Sequence, residues 1–124
     1  MSRSIVLFFL LLLSPFVSAV EYNFNESEFD RLAQSDTPVL VHVHAEWCGT
    51  CNRQTSLLSE LLGSREFRPF TLLRVNYDTQ KNVVERFGVQ YQSTLIVFRK
   101  GVEVTRSTAV ADEKAIATLL RMAL

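Results

Sequence analysis

Several features are scarce in this sequence, and each scarcity excludes a class of protein. The 124 residues include only two cysteines, and the 13 basic and 13 acidic residues balance to a net charge of zero. Without a basic surplus, the composition does not suggest binding to nucleic acid or to anionic membranes. No internal repeat or low-complexity segment follows the N-terminal region. The length and the ordinary hydrophobic content predict a single globular domain.

The sequence also lacks an apolar run long enough to span a bilayer. The run at Ile5–Leu13 has nine residues, whereas a transmembrane helix needs about 20. It follows the basic Arg3 and leads to small residues that end at Ala19, which is the pattern of a secretory signal peptide. We expect residues 1–19 to be a cleaved signal peptide and residues 20–124 to be the mature domain. The alternative is that the apolar run is retained as a membrane anchor.

Two further absences bear on where the protein resides. No cysteine stands near the expected cleavage point, which excludes attachment of a lipid there. The C-terminal residues 121–124 do not form a retention signal for a eukaryotic lumen. We therefore expect export, with the bacterial periplasm as the location.

The two cysteines, Cys48 and Cys51, are three residues apart. A disulfide that closes so small a ring removes little entropy from the unfolded chain, compared with roughly 3 kcal/mol for a 15-residue loop. The pair is therefore not a structural cross-link. It is either a reactive pair or half of a metal site.

Hydrophobic periodicity and turn residues predict an alternation of strands and helices. Asn25 followed by Glu28 is a variant of the capping box, and Asp112 is a candidate cap for the last helix. The predicted strands cover 22–24, 39–44, 70–75, 94–98 and 102–105, and the predicted helices cover 25–34, 48–62, 79–87 and the residues after 112. This order predicts an α/β fold with a central mixed β-sheet and helices on both faces.

The segment Trp47-Cys48-Gly49-Thr50-Cys51 lies where an interior strand ends and a helix begins. At a helix N-terminus, unpaired N–H groups and the helix dipole favour a thiolate, so Cys48 is the candidate nucleophile. Cys51 lies one turn further on and is expected to be more buried and to resolve the mixed disulfide. We expect Gly49 to let the chain turn closely and Trp47 to shield the pair.

The chain resembles the thioredoxin family over residues 20–124. The segments that carry the resemblance are Val41–Cys51, Arg74–Asp78, Phe87–Val89, and Thr94–Phe98 followed by Lys100-Gly101. The resemblance implies a thioredoxin fold and a thiol–disulfide oxidoreductase that acts on protein disulfides. It implies Cys48 as nucleophile, Cys51 as resolving thiol, and no cofactor besides the redox-active disulfide between them.

The expected location and composition suggest the partners. Soluble reductants are scarce outside the cytoplasm, so we expect a membrane-bound redox partner to supply or accept the electrons. We expect a monomer that does not bind nucleic acid.

Two departures from the family pattern concern residues next to the cysteines. Thr50 replaces a proline, and its hydroxyl is placed to hydrogen-bond the Cys48 sulfur, so the direction of electron flow is left open. His42 aligns with the buried acid beneath the resolving cysteine. It is either the proton acceptor for Cys51 or a neutral, hydrogen-bonded core histidine.

A third departure is Ser93, which replaces the cis-proline of the family. A cis bond before a residue other than proline costs about 2.5–4 kcal/mol, so we expect a trans Gln92–Ser93 bond. Gln92, Ser93 and Thr94 are expected to face Cys48 and to bind substrate together with Trp47, Gly49 and Thr50. Without the proline ring, we expect wider access to both sulfurs.

Two rival functions follow from the same residues. Loss of the cis-proline is compatible with a client-binding module, although such a module has no need of two thiols. His44 shares a strand face with His42, and two histidines with Cys48 and Cys51 would suit a metal or cluster carrier. His44 also aligns with an aromatic position of the family, so we expect no metal.

Overall fold

The computed structural model describes residues 20–124, and the expected signal peptide lies outside the described residues. The strands are β1 (Val20–Asn23), β2 (Val39–His44), β3 (Thr71–Asn76), β4 (Thr94–Arg99) and β5 (Val102–Thr108). The helices are α1 (Glu26–Ala33), α2 (Gly49–Gly63), α3 (Lys81–Arg86) and α4 (Glu113–Arg121). Within residues 20–124, none of the helices has the length and hydropathy needed to cross a bilayer.

The five described strands form one mixed sheet in the order β1-β3-β2-β4-β5. β1, β3 and β2 run parallel, whereas β4 and β5 are antiparallel to their neighbours. β2 is the central strand, and its residues Val39 to Val43 are all buried. This explains its nearly continuous β-branched and apolar sequence, since both faces of the strand are covered.

Helices cover both faces of the sheet, and each face has its own hydrophobic core. Because side chains alternate along a strand, Val41 and Val43 face the α1 and α3 side, whereas Leu40 faces the α2 and α4 side. His42 is two residues from Leu40 on the same strand, so its side chain also lies on the α2 side. The mixed sheet with helices on both faces is therefore confirmed.

Two of the predicted helix starts are confirmed by the side chains that cap them. Asn25 accepts a hydrogen bond from the Glu28 N–H, and Asp112 accepts one from the Ala115 N–H, as N-cap residues do. The carboxylate of Glu28 pairs with Arg31, so only half of a capping box is formed. β1 begins two residues before its predicted start. β5 extends to Thr108 because its hydrogen-bonded pairing with β4 continues to that residue.

Thr79 does not cap α3, contrary to the prediction. The helix begins at Lys81 with Gln80 at the N-cap position. The Thr79 N–H is instead bound by the side chain of Asn76, so the chain makes an Asx-type turn before the helix starts. The predicted stop at Gly88 is confirmed, since Gly88 has φ +61° and follows the last turn of the helix.

Candidate active site

Cys48 stands between the central strand and helix α2. It has extended backbone angles and is the N-cap residue of α2, which begins at Gly49. Its sulfur accepts a hydrogen bond of 3.1 Å from the Cys51 N–H. That N–H is one of the first-turn groups of the helix that lack a partner in the preceding turn. A negative charge on the Cys48 sulfur would therefore meet a backbone donor and the positive end of the helix dipole.

The environments of the two sulfurs differ. Cys48 retains 6% exposure, whereas Cys51 has none. Burial raises the pKa of Cys51 to about 11, and the hydrogen bond with Cys48 acts in the same direction. Cys51 therefore keeps its proton at neutral pH. Cys51 is closed to solvent and Cys48 is nearly so, which contradicts the expectation of wider access to both sulfurs.

Trp47 is largely exposed, and its shielding of the cysteine pair stays a prediction. Its ring is 64% exposed, and its indole N–H donates a 2.9 Å hydrogen bond to Asp78. Among the buried and half-buried apolar residues of the described chain, Ala45 and Tyr77 pack against the two cysteines. The indole is therefore held in place beside the site, with most of its surface open to solvent.

The two residues between the cysteines, Gly49 and Thr50, behave differently from the prediction. A Cβ placed on Gly49 would meet nothing within 4 Å, so no close approach within residues 20–124 requires a glycine there. Thr50 is half-buried. Among the described residues, its hydroxyl makes no hydrogen bond to Cys48, whose sulfur accepts the Cys51 N–H instead.

The Ser93 segment lies against the end of β2 and against the loop before α4. The Gln92–Ser93 bond is trans, as expected, and Ser93 has φ +59°. The Ser93 N–H donates to Val43 O at 2.8 Å, and Ser93 O accepts the Ala109 N–H at 2.9 Å. Ser93 is 5% exposed, Gln92 is half-buried, and Thr94 is 2% exposed. Gln54, which follows Cys51 by one helical turn on α2, donates to Ser93 O at 3.0 Å, so this segment lies against the start of the helix that carries the resolving cysteine.

His42 is completely buried beneath the helix. Its Nε2 lies 3.0 Å from Gln54 Oε1. Within residues 20–124, its Nδ1 has no hydrogen-bond partner. Burial lowers the pKa of His42 to about 3, against the opposing effect of the hydrogen bond to Gln54. The imidazole is therefore neutral over the physiological pH range.

Sequence reasoning missed Gln54, a buried polar residue that touches three segments of the site. Its Nε2 donates to Ser93 O at 3.0 Å and to Val110 O at 2.8 Å. Two carbonyl partners require an NH₂ group, so the amide orientation is assigned by this network, and Oε1 is left to accept from His42. His42 is then the Nε2–H tautomer. A glutamine at core-facing spacing between Cys51 and Leu58 was the available clue.

Each of the two histidines has a side-chain amide as its hydrogen-bond partner. Their ring centroids are 5.4 Å apart, but His44 Nε2 lies 3.2 Å from Asn52 Oδ1 and His42 is bonded to Gln54. In the part of the chain that the structure describes, no three His, Cys, Asp or Glu side chains are grouped so as to hold a metal ion.

The family model for thioredoxin matches residues 20–122. This range includes every element of the sheet and both cysteines. The chain belongs to the thioredoxin family. It has the thioredoxin fold and is a thiol–disulfide oxidoreductase, and the position of Cys48 and Cys51 at the start of α2 fits that activity.

Individual relatives agree with this membership. Thioredoxin of Chlamydia muridarum (strain MoPn / Nigg) is 38% identical over 82 residues, which are 66% of this chain and 78% of that protein. Thioredoxin of Chlamydia pneumoniae is 34% identical over 96 residues, which are 77% of this chain and 91% of that protein. The crystal structure of Trxlp from Edwardsiella tarda EIB202 has 38% identity and a TM-score of 0.78, and the similarity covers 82% of this chain and 98% of that one.

Proposed function

We propose that this thioredoxin-family enzyme exchanges disulfides with client proteins outside the cytoplasm, with Cys48 as nucleophile and Cys51 as resolving thiol. The observation that carries the assignment is the difference between the two sulfurs. Cys48 is slightly exposed and accepts a backbone N–H at the helix start, whereas Cys51 is fully buried with its pKa raised to about 11. The first sulfur is thus prepared for attack and the second is protected from side reactions.

The exchange consists of two successive displacements at sulfur. The Cys48 thiolate attacks one sulfur of a client disulfide, which forms a mixed disulfide and releases one client thiolate. Cys51 then gives its proton to the client thiolate released in the first step, directly or through water, and attacks the Cys48 sulfur, which releases the second client thiolate. The client disulfide has gained two electrons, and Cys48 and Cys51 are joined in a disulfide. The same steps in reverse oxidise a client dithiol.

Between the two interpretations of His42, we favour the neutral core histidine. A pKa of about 3, set by burial, makes the imidazole far too weak a base to hold the proton of Cys51 at neutral pH. Its Nε2–H is also committed to Gln54. In this interpretation, His42 occupies the place of the family acid without accepting the proton.

The proposed client-binding surface is formed by Trp47, Gly49, Thr50 and Gln92, with the buried Ser93 and Thr94 next to Gln92 in the chain. Trp47 is exposed and fixed by Asp78. Gly49 is exposed at the start of α2. Such a surface suits a client protein chain, because its most exposed member is an aromatic ring, and aromatic side chains are typical anchors of protein interfaces.

Reduction of insulin by the dithiothreitol-reduced protein tests the activity. We expect the wild type to precipitate insulin chains and the Cys48→Ser/Cys51→Ser double variant to be inactive. Glu60→Ser, an exposed substitution on the same helix, is the matched control and should retain activity. Binding of insulin without turnover by the wild type would favour the client-binding module instead.

Export is the second part of the proposal, and it rests on the sequence pattern of residues 1–19. The family match starting at residue 20 supports a mature domain that begins there. We propose the bacterial periplasm as the location, a monomeric protein, and a membrane-bound partner that exchanges electrons with the cysteine pair.

Expression of the full chain in a bacterium, followed by fractionation and mass measurement, tests export. We expect a periplasmic protein that starts at Val20. An Ala19→Arg variant, in which a large cation occupies the cleavage position, should remain uncleaved and in the membrane fraction. A wild-type protein of full length in the membrane fraction would support the anchor, and one in the cytoplasm would contradict export.

A further inference from the structure

Gln54 is a fully buried polar side chain on α2, surrounded by the elements that carry the thiol chemistry. Its carboxamide reaches His42 on the central strand, Ser93 in the segment beside Cys51, and Val110 in the loop before α4. All three distances lie between 2.8 and 3.0 Å. Each hydrogen of the NH₂ group has one carbonyl acceptor, so its donor capacity is fully used.

The two backbone segments that Gln54 joins are in an uncommon conformation. Ser93 has φ +59° and Ala109 has φ +64°, a left-handed region that disfavours residues with a Cβ. The two residues are linked to each other by the hydrogen bond from the Ala109 N–H to Ser93 O. Such a conformation persists where the surroundings hold it. Gln54 adds a second donor to that same Ser93 oxygen and one to the neighbouring Val110 oxygen.

We propose that Gln54 is a positioning residue for client exchange: its buried amide holds the trans, left-handed Ser93 segment against α2 and fixes the tautomer of His42. This extends the proposed function, because it assumes that the Ser93 segment contacts the client backbone. In the family pattern, a proline restricts the chain at this place. Here a side chain from another element supplies the restriction, so the docking surface depends on the two hydrogen bonds that the Gln54 amide donates to Ser93 O and Val110 O.

The variant Gln54→Met tests this, because methionine has a similar length and no donor. We expect the exchange of the Ala109 N–H with solvent deuterium to accelerate by about tenfold, and kcat/KM for reduction of insulin to fall by about tenfold, the equivalent of about 1.4 kcal/mol. Reduction of a small aromatic disulfide needs no docking of a chain. Its rate should change by less than about twofold.

Gln80→Met is the matched control. The Gln80 amide also joins two backbone groups, accepting from the Asn76 N–H and donating to Phe24 O, but it lies away from the Ser93 segment. We expect it to lower the melting temperature without separating the insulin rate from the small-disulfide rate. If Gln54→Met lowers both rates equally, or neither, the positioning role is wrong.

A rescue variant adds a second criterion. Glycine adopts positive φ without strain, so Ser93→Gly in the Gln54→Met background should recover most of the insulin rate. Failure of the double variant to recover, with both proteins folded, would contradict the claim that Gln54 acts by holding the left-handed backbone.

Two measurements on the wild type need neither a variant nor activity. The proposal predicts slowly exchanging carboxamide protons on Gln54 and ¹⁵N chemical shifts of His42 that report the Nε2–H tautomer from pH 5 to 8. Rapid exchange, or the Nδ1–H tautomer, would overturn it. If these results hold while insulin is not reduced, the proposed client chemistry fails and the structural role of Gln54 stands.

Discussion

His42 illustrates, at the scale of single residues, how burial determines what a side chain does. From the sequence, a histidine beneath the resolving cysteine was equally compatible with a proton acceptor and a core residue. The fold places it at 0% exposure with Gln54 as partner, and burial lowers its pKa to about 3. The sequence position was predictable from the family pattern, but the partner was not, because Gln54 becomes a neighbour only when α2 packs on the sheet.

The lowered pKa of His42 predicts how stability depends on pH. The unfolded chain binds a proton on this histidine below about pH 6.5, whereas the folded protein does so only near pH 3. The contribution to the free energy of unfolding is therefore fully present above about pH 6.5 and is lost as the pH falls towards 3, by at most about 1.4 kcal/mol per pH unit.

Urea unfolding at pH 7 and at pH 5 measures this effect. We expect the wild type to lose more free energy of unfolding over this interval than His42→Leu, which has no titrating group at that position. His44→Leu is the control for the other histidine and should keep the pH dependence that His42 causes. An equal loss in the wild type and His42→Leu would mean that His42 does not have a lowered pKa.

The helices and strands, the next scale, were mostly predictable because their signals are local. The central strand was predicted with its observed bounds, and the caps Asn25 and Asp112 were found, since a capping side chain acts within three residues of itself. The prediction for Thr79 was wrong because Asn76, three residues earlier, accepts the Thr79 N–H in a turn, and the helix begins only at Lys81. The left-handed Ser93 could not be predicted, since contacts from three distant segments impose that conformation.

The cap of α4 gives a quantitative prediction at this scale. The Asp112 carboxylate accepts the Ala115 N–H at 2.9 Å and lies at the positive end of the helix dipole. Asp112→Ala should lower the free energy of unfolding by about 1 kcal/mol, and Asp112→Asn, which retains a capping oxygen, by only a few tenths. Urea unfolding of both variants makes the comparison. Equal effects of the two substitutions would show that the cap hydrogen bond contributes little.

For the molecule as a whole, the topology explains why the thiol chemistry lies at one end of the sheet. The buried strand β2 leads directly into α2, and this junction presents Cys48 at the helix start. The connection from β3 supplies Asp78 for Trp47, and the segment before β4 supplies Ser93. The order of elements was sufficient to predict the position of Cys48, and the family resemblance indicated the segment around Ser93. The contacts to Asp78 and Gln54 required the packed structure, because they join residues far apart in the chain.

The central claim is that Cys48 attacks the client and Cys51 resolves the mixed disulfide. Trapping of a disulfide-bonded client by single-cysteine variants, read by mass spectrometry, tests it most directly. Cys51→Ser should accumulate a mixed disulfide between Cys48 and disulfide-bonded insulin, because the resolving thiol is missing. Cys48→Ser should accumulate almost none, because Cys51 is buried and protonated at neutral pH. Accumulation through Cys51 in the Cys48→Ser variant, at a yield equal to or above that of Cys51→Ser, would contradict the account.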